Sequence, residues 1–192
     1  EDAVKGAKAV SSYIDNLDSI PKFIQNFPTK VEALADLGKL SDVKGVDKLA
    51  HDIALNGLGH PHAARRAVIL KGTPDVKLLE LGKRVKVKIN YQGKEFDEIL
   101  DMDIFYEKGI GSKKIRVIEE IKSSSSGVVG ASEEVQKDVL KMNKALEKDL
   151  ADEAKIVTKG TFDIDVTRFI DQNFIEQNGK KVKVQLEAGG IK

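Results

Sequence analysis

Two carboxylates and one lysine near the middle of the chain have the types and spacing needed to act together on a phosphodiester. Asp103 lies in the segment Asp-Met-Asp-Ile-Phe, and Glu120 and Lys122 lie in the segment Ile-Glu-Glu-Ile-Lys. Carboxylates on two adjacent strands can hold a hard divalent cation, Mg²⁺ or Mn²⁺, and leave other coordination positions free. Such an ion activates water and relieves charge at phosphorus. Asp103 and Glu120 are therefore candidate metal ligands, and Lys122 completes the candidate catalytic centre.

Three strands are predicted to position these side chains. The first runs through residues 85–91 and ends before a turn at Gln92-Gly93, and a second turn is predicted at residues 109–111. In the third strand, residues two apart share a face, so Glu120 and Lys122 point the same way. In the second strand, the expected inward residues are Phe96, Leu100, Met102 and Ile104, and the expected outward residues are Asp97, Asp101 and Asp103.

Helices are predicted on both sides of these strands. Hydrophobic periodicity predicts helices over 3–17, 30–40 and 43–55. After the strands, Ser132 is a typical N-cap of a long helix. The hydrophobic stripe of that helix consists of Val135, Val139, Met142, Leu146 and Leu150. Further strands are predicted over residues 154–157 and 182–186, whereas the pattern over 162–177 supports no assignment.

The order helix, three antiparallel strands, helix, strand, with Asp103 on the second strand and Glu120-Ile121-Lys122 on the third, resembles the PD-(D/E)xK nuclease superfamily. The resemblance covers about residues 43–160. It implies an α/β (α+β) fold with a restriction-endonuclease-like core, in which a mixed sheet is flanked by helices. The expected division is a helical N-terminal segment over residues 1–42 and a nuclease core domain over residues 43–192. The implied activity is metal-dependent hydrolysis of DNA or RNA, tRNA included.

The same resemblance assigns roles to individual residues. Lys122 is expected to orient the attacking water and to offset developing negative charge. The backbone carbonyl of Ile121 is implied as a further metal ligand. Asp101 and Asp103 are alternatives for the first acid, because a register shift of two residues would exchange them. Asp103 is favoured because Ile104-Phe105 follows it.

Other positions fit the family less closely. Gln136 and Lys137 begin the long helix at a distance that would let one of them contact the scissile phosphate. The proline in the name of the family is missing before either aspartate. Strict alternation turns Glu119 toward the hydrophobic side of its strand, where either a bulge or a position at the edge of the core would accommodate it.

Composition is consistent with one soluble domain. The chain has 192 residues, of which 41% are hydrophobic and 33% charged, with a net charge of +1. This balance neither favours nor excludes binding of nucleic acid. The absence of cysteine excludes disulfides, thiol catalysis and cysteine-ligated zinc. No hydrophobic run is long enough to span a membrane.

The chain starts at Glu1 rather than at methionine, as expected of a fragment or a processed protein. A helical lead-in before a compact nuclease resembles the toxin tails of bacterial competition systems. That resemblance implies delivery into the cytoplasm of a target cell and a cognate immunity protein as partner.

Two alternatives belong to other classes of protein. A binding or interaction module on the same fold would use these charges to contact a protein partner. A metal-free ribonuclease would use His60 or His62, which lie in a stretch interpreted as a loop rich in glycine and proline. Arg65-Arg66 is interpreted either as a phosphate contact or as a solvated edge. A basic rim around the site is predicted from Lys83, Arg84, Lys86, Lys88, Lys113, Lys114 and Arg116.

Overall fold

A mixed five-stranded sheet with helices on both faces forms the centre of the fold in a computed structural model that describes residues 30–54, 60–124 and 126–191. The helices are α1 (Lys30–Lys39), α2 (Val46–Ala54), α3 (His60–Lys71), α4 (Glu133–Glu147) and α5 (Ile164–Gln172). The strands are β1 (Val76–Tyr91), β2 (Lys94–Ile110), β3 (Lys113–Lys122), β4 (Val128–Val129), β5 (Glu153–Thr158), β6 (Thr161–Phe162), β7 (Ile175–Gln177), β8 (Lys180–Val182) and β9 (Gln185–Ala188).

The large sheet has the strand order β1-β2-β3-β5-β9. The first three strands are antiparallel neighbours, whereas β3, β5 and β9 are parallel. Helix α4 lies in the chain between β3 and β5, as a crossover between parallel strands requires. The prediction of a mixed sheet flanked by helices in an α+β fold is confirmed.

Each face of the sheet has its own hydrophobic core. Helices α1, α2 and α3 pack on one face against residues that include Leu81, Ile104 and Val117. Helices α4 and α5 pack on the other face against residues that include Leu100 and Ile118. Helix α1 precedes the expected domain boundary at residue 43, yet its hydrophobic residues belong to the same core as the sheet.

The alternation of side chains between the two cores breaks within the long β1–β2 hairpin. Met102 packs in the core of α4, whereas Ile104 packs in the core of α1–α3. The prediction that Phe96, Leu100, Met102 and Ile104 share one face is therefore wrong at Ile104. The break lies opposite Gly82, since Leu81 pairs with Ile104 and Lys83 pairs with Met102. Gly82 has a φ of +61°, which disturbs the pleat of β1 at this point.

Several elements differ from the prediction. The stretch interpreted as a loop at residues 60–62 begins α3, because a proline in the first turn of a helix loses no hydrogen bond. Strand β1 begins at Val76 rather than near residue 85, since a register shift between Leu78 and Glu80 and the positive φ of Gly82 break its alternation. Part of residues 162–177 forms α5. The predicted helix over residues 3–17 lies outside the described residues.

Gly45 brings the start of α2 against β1. Its φ is +86°, and a Cβ there would lie 2.0 Å from the backbone oxygen of Leu81. This close approach allows a backbone hydrogen bond, in which the N–H of Leu81 donates to the carbonyl of Lys44 at 2.8 Å.

We expect Gly45→Ala to lower the free energy of unfolding by at least about 1–2 kcal/mol, since the left-handed conformation and the backbone clash both oppose a side chain. Gly93→Ala is the matched control, because Gly93 also has a positive φ but nothing within 4 Å of an added Cβ. Urea denaturation of both variants measures the difference, and equal losses would contradict the role of the close approach.

Candidate functional site

The site lies where β2 and β3 stop pairing with each other. Backbone pairing runs from the turn as far as Ile104 opposite Glu119. Beyond that point, the backbone N–H of Ile121 donates to Asp103 Oδ2 at 2.6 Å. In an antiparallel strand, the N–H and C=O of one residue point toward the same neighbouring strand. Since the N–H of Ile121 points toward β2, its carbonyl also points toward β2 and into this gap. The end of strand pairing therefore brings one carboxylate and one backbone carbonyl together.

Glu120 lies beside this gap and is almost fully buried, with 7% of its surface exposed. Its Oε1 atom is 2.9 Å from the ammonium nitrogen of Lys122. Its Oε2 atom is buried and receives no hydrogen bond from a nitrogen donor of the described residues, although Glu120 is close enough to Asp138 to share a proton with it. Keeping two buried carboxyl groups together is costly unless a proton or a cation neutralises them, and a bound cation could take the place of the shared proton. The residues present thus fit a divalent ion held by Asp103 and Glu120.

Asp138 on α4 is a member of the site that sequence reasoning missed. Only 1% of its surface is exposed, and its Oδ2 atom is 2.6 Å from the ammonium nitrogen of Lys122. Its Oδ1 atom is 2.5 Å from the ammonium nitrogen of Lys141. Its position in the sequence could have indicated that it is buried, because an acid at helical spacing between Val135 and Met142 falls within the hydrophobic stripe. A buried acid on such a stripe requires a cationic partner, which here is Lys122.

Desolvation and mutual repulsion shift the pKa values of the acids in this site. Desolvation raises the pKa of Asp103 to about 7, although the bond from Ile121 N–H opposes the shift. Burial, followed by the charge of Asp138, raises the pKa of Glu120 well above its usual range. Burial also opposes ionisation of Asp138, but the charge of Lys122 and hydrogen bonds with Glu120, Lys122 and Lys141 together lower the pKa of Asp138. The site therefore has an excess of acid groups over the positive charge available to neutralise them.

Asp101, the alternative first acid, has a side chain that is 39% exposed. It accepts a hydrogen bond from Arg84 Nε at 2.9 Å, and Lys48 is 3.9 Å from its other oxygen. The structure thus gives Asp101 two cationic partners on the surface and directs Asp103 toward β3. This arrangement favours Asp103 as the ligand.

Gln136 and Lys137 contact the β1–β2 hairpin. Gln136 accepts a hydrogen bond from the Tyr91 hydroxyl at 3.1 Å and donates to the carbonyl of Ala131 at 2.7 Å. The ammonium of Lys137 lies 2.9 Å from Glu133 and also above the ring of Phe96. None of these contacts involves the catalytic candidates, so a phosphate contact from either residue stays a prediction.

Glu119 is accommodated by a buried ion pair rather than by a bulge. Its carboxylate is fully buried and accepts two hydrogen bonds from Arg66 on α3, at 2.8 and 2.9 Å. The Tyr106 hydroxyl donates to it at 2.8 Å. Arg66 also donates to Glu187 and to the carbonyl of Gly190. Arg66 is therefore neither a phosphate contact nor a solvated edge, and it fixes β3 from the face opposite Lys122.

The histidine pair lies on α3, which packs on the face of the sheet opposite α4 and its Asp138. His62 is buried in α3, and desolvation lowers its pKa to about 4. A buried imidazole that stays neutral at pH 7 is poorly suited to general acid catalysis. In the described residues, no group of three or more His, Asp or Glu side chains is arranged to hold a metal ion. The candidate ligand set instead combines two carboxylates with the carbonyl of Ile121.

Most cations of the predicted basic rim have acidic partners. Arg116 pairs with Asp149 at 2.7 Å and with Asp152 at 3.2 Å, and Lys88 pairs with Glu95 at 3.0 Å. Exposed pairs of this kind exchange readily with other anions. The structure therefore leaves the basic rim as a prediction.

No protein-family model, curated protein or solved structure matches this chain. None of the described helices is both long and hydrophobic enough to cross a membrane.

The raised pKa of Asp103 has a testable effect on stability without metal. A carboxyl whose pKa rises from 3.8 to about 7 on folding stabilises the folded state below pH 4 and loses that contribution as the pH rises to 7. We therefore expect Asp103→Asn to become more stable relative to wild type, by roughly 1–3 kcal/mol, between pH 5 and pH 8 in EDTA.

Comparison with wild type at each pH removes the opposite contribution of His62, whose lowered pKa favours folding as the pH rises. Asp101→Asn serves as the control for loss of one exposed charge. A stability difference between Asp103→Asn and wild type that does not vary with pH would contradict the prediction.

Proposed function

We propose that this protein is a metal-dependent nuclease that hydrolyses phosphodiester bonds. The observation that carries the proposal is the group formed by Asp103, Glu120 and Lys122 at the point where β2 and β3 separate. One buried oxygen of Glu120 receives no hydrogen bond from a nitrogen donor of the described residues and lies beside the acid Asp138, which suits a site built for a cation. The residue types match the chemistry, since hard oxygen ligands hold Mg²⁺ or Mn²⁺.

Each residue has a distinct part in this proposal. Asp103 and Glu120 hold the ion, together with the carbonyl of Ile121. The ion, when bound, supplies a Lewis acid that activates water and offsets charge on the phosphate. Lys122 donates hydrogen bonds to the attacking water and offsets charge that develops on the phosphate oxygens. Burial favours this role, because electrostatic interactions are stronger where water is excluded.

The order of elements supports the superfamily to which the proposal appeals. The order α3-β1-β2-β3-α4-β5 is the one that the PD-(D/E)xK resemblance implies, with the short strand β4 between β3 and α4. The acid and the Glu-x-Lys motif lie on neighbouring strands, as the resemblance also requires. The helix before the first strand is α3, however, and not the segment 43–55 to which the resemblance assigned it.

The direct test is cleavage of supercoiled plasmid DNA and of total tRNA, each with Mg²⁺ or with EDTA. We expect wild type to cut at least one of these substrates with Mg²⁺ only, and Lys122→Ala to lose the activity. The substrate that is cut identifies DNA or RNA as the target. Cleavage that persists in EDTA and is lost in His60→Ala or His62→Ala would instead establish the metal-free ribonuclease.

A toxin role is a further part of the proposal, with an immunity protein as partner and the cytoplasm of a target cell as the place of action. Induced expression in bacteria tests it directly. We expect wild type to arrest growth and Lys122→Ala to be tolerated at equal protein level. Normal growth with wild type would count against a toxin while leaving the nuclease assay to decide the activity.

A further inference from the structure

The ammonium group of Lys122 has three acidic neighbours in this structure. The distances from its nitrogen are 2.9 Å to Glu120, 2.6 Å to Glu134 and 2.6 Å to Asp138. An ammonium group has three N–H donors, so these three carboxylates can occupy all of them. A lysine that acts on water or phosphate must release one of these contacts.

The three carboxylates differ in how easily they can be displaced. Asp138 and Glu120 are buried, and losing a cation there would leave a charge without compensation in a site shielded from water. Glu134, in contrast, has 76% of its side chain exposed. Exposed ion pairs contribute little to stability, because water replaces the partner at small cost. An incoming anion would therefore displace Glu134 from Lys122 more easily than it would displace either buried acid.

We propose that Asp138 is a positioning residue that holds Lys122 in place, and that the exposed carboxylate of Glu134 lies where a substrate phosphate binds the same ammonium group. The inference rests on the proposed nuclease function and names the substrate contact of that site. Lys141, 2.5 Å from the other oxygen of Asp138, fixes this carboxylate from its far side. The alternating charges of Lys141, Asp138 and Lys122 thus connect α4 to β3.

The two acids are expected to affect the reaction in opposite ways. Losing Asp138 leaves Lys122 free to shift, and a displacement of about 1 Å can cost about 100-fold in rate. We expect Asp138→Asn to lower kcat about 10- to 100-fold with little change in KM. Glu134→Gln removes a competitor for the ammonium group, so we expect a lower KM. Glu147→Gln is the matched control, because Glu147 also lies on α4 and pairs with one lysine, Lys144, that has no part in the proposed site.

The ¹H–¹⁵N spectrum of lysine ammonium groups tests the same arrangement without any substrate. We expect a slowly exchanging Lys122 signal, assigned by its loss in Lys122→Met. The signal should persist in Glu134→Gln and Lys141→Met and be lost in Asp138→Asn. Titration with inorganic phosphate should shift it at lower concentrations in Glu134→Gln than in wild type.

The outcomes separate this inference from the proposed function. If no substrate is cleaved, the nuclease proposal fails, and the spectrum still decides the roles of Asp138 and Glu134. An unchanged Lys122 signal in Asp138→Asn overturns the positioning role. If that variant does not fold, a wild-type Lys122 signal that exchanges as fast as those of exposed lysines overturns it instead. Equal phosphate titrations in wild type and Glu134→Gln overturn the role of Glu134.

Discussion

Arg66→Met is expected to lower the free energy of unfolding by about 3–5 kcal/mol, the range for removing one partner of a buried ion pair. The substitution keeps an unbranched side chain but leaves the carboxylate of Glu119 buried without its cation. The loss of Arg66 costs less free energy at Glu187, because the side chain of Glu187 is partly exposed and water can solvate it. Urea denaturation at pH 7 in EDTA measures the loss without a contribution from bound metal.

The double variant Arg66→Met/Glu119→Gln is the control for this prediction. A glutamine at position 119 carries no charge and still accepts the hydrogen bond from Tyr106. We expect the double variant to recover a large part of the stability lost in Arg66→Met. A loss below about 1 kcal/mol in the single variant would show that water reaches Glu119 and that the ion pair contributes little.

Glu120→Gln is expected to abolish divalent-ion binding and to reduce cleavage by at least about 100-fold, on the scale of losing one group that stabilises the transition state. The amide has the same shape but no charge, so it is a poor ligand for Mg²⁺. The same variant should be more stable than wild type in EDTA, because it removes a buried acid beside Asp138. Function and stability should therefore change in opposite directions.

Titration calorimetry with Mg²⁺ and thermal unfolding with and without the ion measure both effects. Glu153→Gln is a matched control, because Glu153 lies in β5 and forms an ion pair with Lys108 away from the site. We expect that control to bind Mg²⁺ normally. Unchanged Mg²⁺ affinity in Glu120→Gln would remove Glu120 from the ligand set.

The strands that carry the candidate site were predictable because their patterns are local. Alternation and the Gln92-Gly93 turn located the hairpin, and the stripe from Val135 located α4 with its N-cap at Ser132. Helix α3 was not predicted, because its proline was interpreted as a break. The change of face between Met102 and Ile104 was not predictable from alternation either, since it depends on the conformation of Gly82 across the hairpin.

Within the site, the types of Asp103, Glu120 and Lys122 were informative, whereas their surroundings were not. Asp138 comes from a helix, and its contact with Lys122 depends on how α4 crosses the sheet. The partner of Glu119 was equally hidden, because Arg66 lies 53 positions earlier in the chain. Such pairings depend on tertiary packing, which no single pattern in the sequence encodes.

The contacts of Arg66 also have a consequence for synthesis on the ribosome. Glu119 emerges long before Glu187 and Gly190, which complete the hydrogen bonds of Arg66. Strand β9, which carries Glu187, adds to the sheet beside β5 only after nearly the whole described chain has been translated. The nascent polypeptide therefore completes the contacts of Arg66 only when translation of this region ends.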